Sequence, residues 1–118
     1  MRPEARDASY LWDMLQASRD TLEFTRGVSF DAYLQDRQLQ LAVERAIEII
    51  GEAAGRVSLG FRDAHPEIPW RKIIAQRNVL AHEYGEIEPA LVWDLVIDHL
   101  PALVGQIEML LPPPPQEH

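Results

Sequence analysis

From Phe30 to Leu59 the apolar residues Tyr33, Leu34, Leu41, Val43, Ile47, Ile50, Ala54, Val57 and Leu59 keep helical spacing, which gathers them on one side of a helix and on neither side of a strand. Ser29 or Asp31 can cap the start, and Gly60 marks the end, so the spacing predicts one long helix. Gly51 and Gly55 lie inside it, where each glycine costs up to about 1 kcal/mol relative to alanine unless close packing or a bend compensates.

Three further helices follow from the same reasoning. Residues 7 to 25 carry Tyr10, Leu11, Met14, Leu15, Leu22 and Phe24 at helical spacing, with Gly27 as the stop. The stretch from Phe61 to Pro69 reads as a connector because Pro66 and Pro69 disfavour helix at the residues before them. A short third helix starts at Trp70, runs through Ile73, Ile74, Val79, Leu80 and Ala81, and stops at Tyr84-Gly85. A fourth begins near Glu86 and buries Leu91, Val92, Leu95, Val96, Leu100, Leu103, Val104, Ile107 and Leu110, with a kink expected at Pro101. The expected architecture is all-α: a single domain over residues 1–111, an antiparallel bundle of four or up to five helices. The last seven residues, from Pro112 to His118, read as a flexible polyproline tail.

With 118 residues, the chain can bury roughly two-thirds of its unfolded surface, and amphipathic helices of this length often finish their core by pairing. A dimer is therefore expected before any motif is read. The chain has no cysteine, which removes disulfides, thiolate metal sites and cysteine nucleophiles. The N-terminus has no apolar signal core, and no uninterrupted apolar run reaches the roughly 20 residues of a membrane span. The expected location is cytoplasmic, without membrane attachment.

The net charge of −8 is unevenly placed. Residues 55 to 82 hold five basic side chains (Arg56, Arg62, Arg71, Lys72, Arg77) against two acidic ones (Asp63, Glu67), or +3, which leaves −11 for the rest of the chain. Affinity for nucleic acid depends on lysine and arginine displacing counterions, so the acidic total excludes general adhesion and points to a narrow target. The partition directs an anionic substrate to one segment while the rest of the molecule repels it.

That segment ends in Arg77-Asn78-Val79-Leu80-Ala81-His82-Glu83-Tyr84. An arginine, an amide, an imidazole and a phenol are together sufficient to hold a phosphate and move a proton without a metal. Arg77 suits phosphate charge and His82 suits proton transfer, with Asn78 in support. Residues five apart on a helix point about 140° away from each other, so Arg77 and His82 do not converge on a straight helix. Either the helix unwinds near Gly85 or the site combines two chains. A purely structural alternative pairs Asn78 with His82 across one turn, Arg77 with a carboxylate, and packs Tyr84 at the helix end.

The motif and its setting resemble the HEPN superfamily, specifically its HepT branch. The carrying residues are Arg77, His82 and Tyr84, in the order arginine, four residues, histidine, any residue, tyrosine. Residues 43 to 53, Ile68-Pro69-Trp70 and Val92-Trp93-Asp94 resemble the same branch. The resemblance implies a homodimeric helical toxin of a toxin–antitoxin pair. It implies a metal-independent endoribonuclease, needing no cofactor, that cleaves an RNA substrate in a cleft shared by two subunits. It also implies a cognate minimal nucleotidyltransferase antitoxin that adenylylates Tyr84. The alternative is a non-catalytic helical binding module for such a partner, or a structural dimer.

Other side chains carry weaker signals. His65, His99 and His118 have no partners at metal-ligand spacing, so no metal site is expected. Glu44, Glu48 and Glu52 form an i,i+4 ladder that faces water, answers arginines on a neighbour, or orients the motif arginine. Trp12, Trp70 and Trp93 suit core or interface packing. Trp70, beside Arg71 and Lys72, is the best placed to contact RNA bases, with those two cations on its phosphates.

Overall fold

The computed structural model describes residues 4–82 and 88–111, and for residues 77–82 the backbone alone. The Pro-rich tail and Tyr84 lie outside the described residues. The helices are α1 (Ala5–Phe24), α2 (Phe30–Leu34), α3 (Arg37–Arg56), α4 (Leu59–Ala64), α5 (Trp70–His82), α6 (Pro89–Asp94) and α7 (Leu100–Leu110), with a π-helical turn, Leu95–His99, joining the last two. There is no strand among the described residues. The long helices α1, α3, α5 and the composite Pro89–Leu110 form the expected helical bundle, with α3 packed on both α1 and α5 and α7 against α1.

Helix α1 runs where its periodicity puts it, and Gly27 supplies the turn with φ of +71° that a side chain would resist. Its buried face carries Leu11, Met14 and Leu15 together with Ser18 and Thr21. These hydroxyls can be buried because each donates to the carbonyl one turn back: Ser18 Oγ to Met14 O at 2.7 Å and Thr21 Oγ1 to Ala17 O at 2.8 Å.

The expected long second helix is instead two. Asp36 breaks it: its Oδ1 accepts from the Leu39 N–H at 3.0 Å, which caps α3 and makes a new start cheaper than a continuous turn. Gln40 Nε2 then donates back to the Tyr33 carbonyl at 3.0 Å, fixing α2 against α3. Tyr33 is fully buried against Trp93, with ring centroids 4.9 Å apart, and its hydroxyl has no hydrogen-bond partner among the described residues. Burial pushes that phenol up to about 12, with Glu44 adding to the shift and Arg37 opposing it.

A second departure follows α3. The first half of the expected connector is helical, and Gly60 sits inside α4 rather than at a helix end. Ser58 caps α4, its Oγ accepting from Phe61 N–H at 3.3 Å. Buried Asp7 on α1 holds this cap, accepting from the Ser58 N–H at 2.9 Å and its hydroxyl at 2.7 Å. An isolated two-turn helix is marginal, so this contact across 51 residues supplies what local propensity does not.

The last helix meets Pro101 with a π-turn. Leu100 N–H donates to Leu95 O, five residues back, in the turn immediately before the proline ring. Proline disrupts the regular ladder at the carbonyl four residues before it, and the wider turn absorbs that disruption. The span Pro89–Leu110 has a mean hydropathy of 1.3, long and apolar enough to cross a membrane by length and composition. Here Val92, Val96, Leu100, Leu103 and Ile107 lie in the core, while Asp94, Asp98 and His99 meet solvent.

Candidate active site

Helix α5 is set by its first turn. Ile73 N–H donates to Pro69 O at 3.1 Å, so the proline stands at the helix entrance as expected. The Trp70 indole is 7 % exposed, and its Nε1–H donates to the His65 carbonyl at 3.0 Å. This pins the connector to α5 and leaves too little open ring face for a base to stack on. Arg71 and Lys72 beside it are exposed, and neither makes an ion pair among the described residues.

The backbone stays helical through His82, so positions 77, 78 and 82 occupy the last two turns of α5. At about 100° per residue, position 77 continues the buried line begun by Trp70 and Ile73. Positions 78 and 82 continue a different line, that of exposed Arg71 and Ala75. The helix thus divides the motif between two faces, and unwinding does not begin before residue 82.

Along α3, two carboxylates of the ladder meet arginines of the same helix. Glu44 lies 4.0 Å from Arg37, and Glu48 accepts from Arg45 at 3.1 Å. Burial pushes the Glu44 carboxyl up, Arg37 draws it down, and Glu48 pushes it further up. A carboxyl whose folded pKa exceeds its unfolded one binds protons more tightly when folded, so it weakens the fold above that pKa and the penalty disappears as pH falls through it. Glu44→Gln is therefore expected to melt a few degrees above wild type at pH 7.5. Melting curves should show the gap closing toward pH 4, and a constant gap would point to packing instead.

Among the described residues, two depressions flank α5. One is a groove of ≈ 250 Å³ walled by Ile47, Ile50, Ile73, Leu95, Leu100 and Leu103. His99, exposed on the π-turn as a solvated helix face, stands at its edge. The other, at the α4–α5 junction, is an open cleft of ≈ 520 Å³ that includes Arg62, Arg71 and Lys72. Arg62 was not legible as a site residue, because the connector gave no helix to orient it; the signal available was Ser58, a capping residue just before Leu59. His65 packs on Phe61, ring centroids 4.4 Å apart, with Nδ1 3.2 Å from Glu67 Oε1. Among the described residues no three His, Cys, Asp or Glu side chains are grouped to hold a metal ion.

The family model described as ribonuclease HepT-like matches residues 14–110. The chain belongs to the HepT-like ribonuclease family. A Thermococcus cleftensis protein named "Probable ribonuclease HepT" is 41% identical over 101 residues, covering 86% of this chain and 92% of that protein. A Methanocaldococcus jannaschii protein named "Putative RNase MJ1380" is 32% identical over 102 residues, covering 86% of this chain and 94% of that one. No solved structure matches the chain. The HepT-like match spans α1 from Met14 through α7, so it takes in the helix that carries Arg77 and His82 and both depressions beside it.

Proposed function

We propose that this HepT-like chain is a metal-independent endoribonuclease, the toxin of a toxin–antitoxin pair, working as a homodimer. The observation that carries this reading is the placement of Arg77 and His82 on one helix at the end of the only cationic segment, within a chain of the HepT-like family. His82 takes the proton of the 2′-hydroxyl or gives one to the leaving oxygen, and Arg77 neutralises the phosphate as charge builds on it. The 2′-oxygen attacks phosphorus, the bond to the 5′-oxygen breaks, and the products are a 2′,3′-cyclic phosphate and a 5′-hydroxyl. Asn78, on the line of position 82, supports the imidazole.

The register supports the dimer. Positions 77 and 82 diverge by about 140°, so a cleft using both is completed by a second copy, which lends one side chain while the first lends the other. Exposed Leu91, Ile97 and Met109 on the C-terminal helix supply apolar surface that a second copy would cover. A cognate minimal nucleotidyltransferase silences the toxin at Tyr84. The tyrosine oxygen attacks the α-phosphorus of ATP, pyrophosphate leaves, and the added nucleotide blocks the phosphate site by bulk and charge.

The test is cleavage of cellular RNA by purified protein in excess EDTA, with product ends mapped, beside growth after induction with and without the partner. Cyclic-phosphate ends and growth arrest support the reading; tight partner binding without cleavage replaces it with a non-catalytic binding module. Tyr84→Phe is expected to remain toxic and to resist the partner, giving at least a tenfold loss of viable cells under co-expression where wild type shows none. Normal neutralisation of that variant would remove Tyr84 from the scheme.

A further inference from the structure

The cleft at the α4–α5 junction contains three cations, Arg62, Arg71 and Lys72, against one carboxylate, Asp63. Among the described residues, none of these cations is engaged by an acidic side chain. In a chain of net charge −8, unneutralised positive charge gathered in a concave place stands out. Arg62 is also held rigidly: its Nε–H donates to the Val57 carbonyl at 3.0 Å, which leaves its Nη groups for a ligand. The buried Trp70 indole and Pro66 form the wall, so the cations sit on a fixed frame rather than on a free loop.

The cleft is also aligned with the motif. Arg71, position 78 and position 82 fall within about 20° of one line along α5. The eleven helical steps from residue 71 to residue 82 rise roughly 16 Å, or roughly five stacked nucleotides at about 3.4 Å each.

From this alignment we infer that the cleft of Arg62, Arg71 and Lys72 is a phosphate-binding exosite, which grips the backbone of single-stranded RNA on one side of the scissile bond, several nucleotides from His82. The inference rests on the ribonuclease reading for its substrate and adds where the flanking strand runs. Contacts there go to phosphates, so the exosite sets affinity and minimum substrate length without reading sequence. It also accounts for how an acidic protein holds RNA at all.

The experiment measures binding of a fluorescent, fully 2′-O-methylated 12-nucleotide RNA, which cannot be cleaved, by the full chain across a salt series. The triple variant R62Q/R71Q/K72Q is compared with R19Q/R26Q/R45Q, which removes the same charge from exposed positions on α1, on the turn after it and on α3. Circular dichroism confirms that both are folded. The cleft variant is expected to bind at least tenfold more weakly, with a salt slope shallower by about two, since each phosphate contact on a single strand contributes about 0.7. The control variant is expected to stay within twofold of wild type.

Equal weakening of both variants would reduce the effect to net charge and overturn the exosite. So would unchanged RNA binding, with loss of nucleotidyltransferase binding in the cleft variant reassigning the surface to the protein partner. Cleft-dependent RNA binding by a wild-type protein that cleaves no RNA would sustain the exosite while refuting the ribonuclease reading.

Discussion

His82→Ala is expected to lower the rate of RNA cleavage by about 10²–10⁴, the range that a positioned proton-transfer group supplies. Growth arrest on induction should disappear with it. An imidazole is the side chain of the proposed site whose charge can change between pH 5 and 8, so wild-type cleavage should depend on pH across that range. The residual activity of His82→Ala should lose that profile. Single-turnover cleavage of a short RNA from pH 5 to 9 measures both effects together.

Arg77→Ala should match this loss in rate yet keep the wild-type pH profile, because a guanidinium stays charged throughout the range and acts on the phosphate alone. Two variants with equal losses and different profiles would separate proton transfer from charge stabilisation. A cleft shared by two copies, as proposed, makes a further, sharper demand. Mixing inactive Arg77→Ala with inactive His82→Ala should restore part of the activity, since a mixed dimer regains one intact site when each copy lends a different side chain. No recovery in mixtures shown to exchange subunits would place both groups in one chain and end the composite-site explanation.

The legible parts of this molecule were those with a long period and a clear end. Helix α1 and the C-terminal span have both, and their buried residues Leu11, Met14, Leu15, Val96, Leu100 and Ile107 could be read from spacing alone. The misread parts were short elements decided by single polar contacts. Asp36 falls inside the helical period that runs from Phe30 to Leu59, and only its bond to Leu39 N–H makes it a cap. Helix α4 depends on Ser58 being held by Asp7, a pairing across 51 residues that no window of sequence contains. The site follows the same rule: the motif and its five-residue spacing were plain, and so was the divergence of positions 77 and 82. The third cation of the cleft was hidden because its position depends on α4.

Leu11→Ala is expected to be the most damaging apolar truncation on α1, costing about 2–5 kcal/mol. Leu11 is 0 % exposed, on the face that α1 presents to α3 and α7, and removing three carbons leaves a void lined by residues that are themselves fixed in helices. For a domain of this size the melting temperature should fall on the order of 10 °C. Met109→Ala, at a position 88 % exposed, should change the stability of the isolated chain by about 0.5 kcal/mol or less. In a dimer that buries Met109, the same change would instead make melting more sensitive to protein concentration. Helix α5 packs chiefly on α3, so Leu11→Ala well below its melting temperature should still cleave RNA at close to the wild-type rate. A cold, folded Leu11→Ala protein with lost activity would mean that α1 acts on the site, and that the motif helix does not hold its geometry on α3 alone.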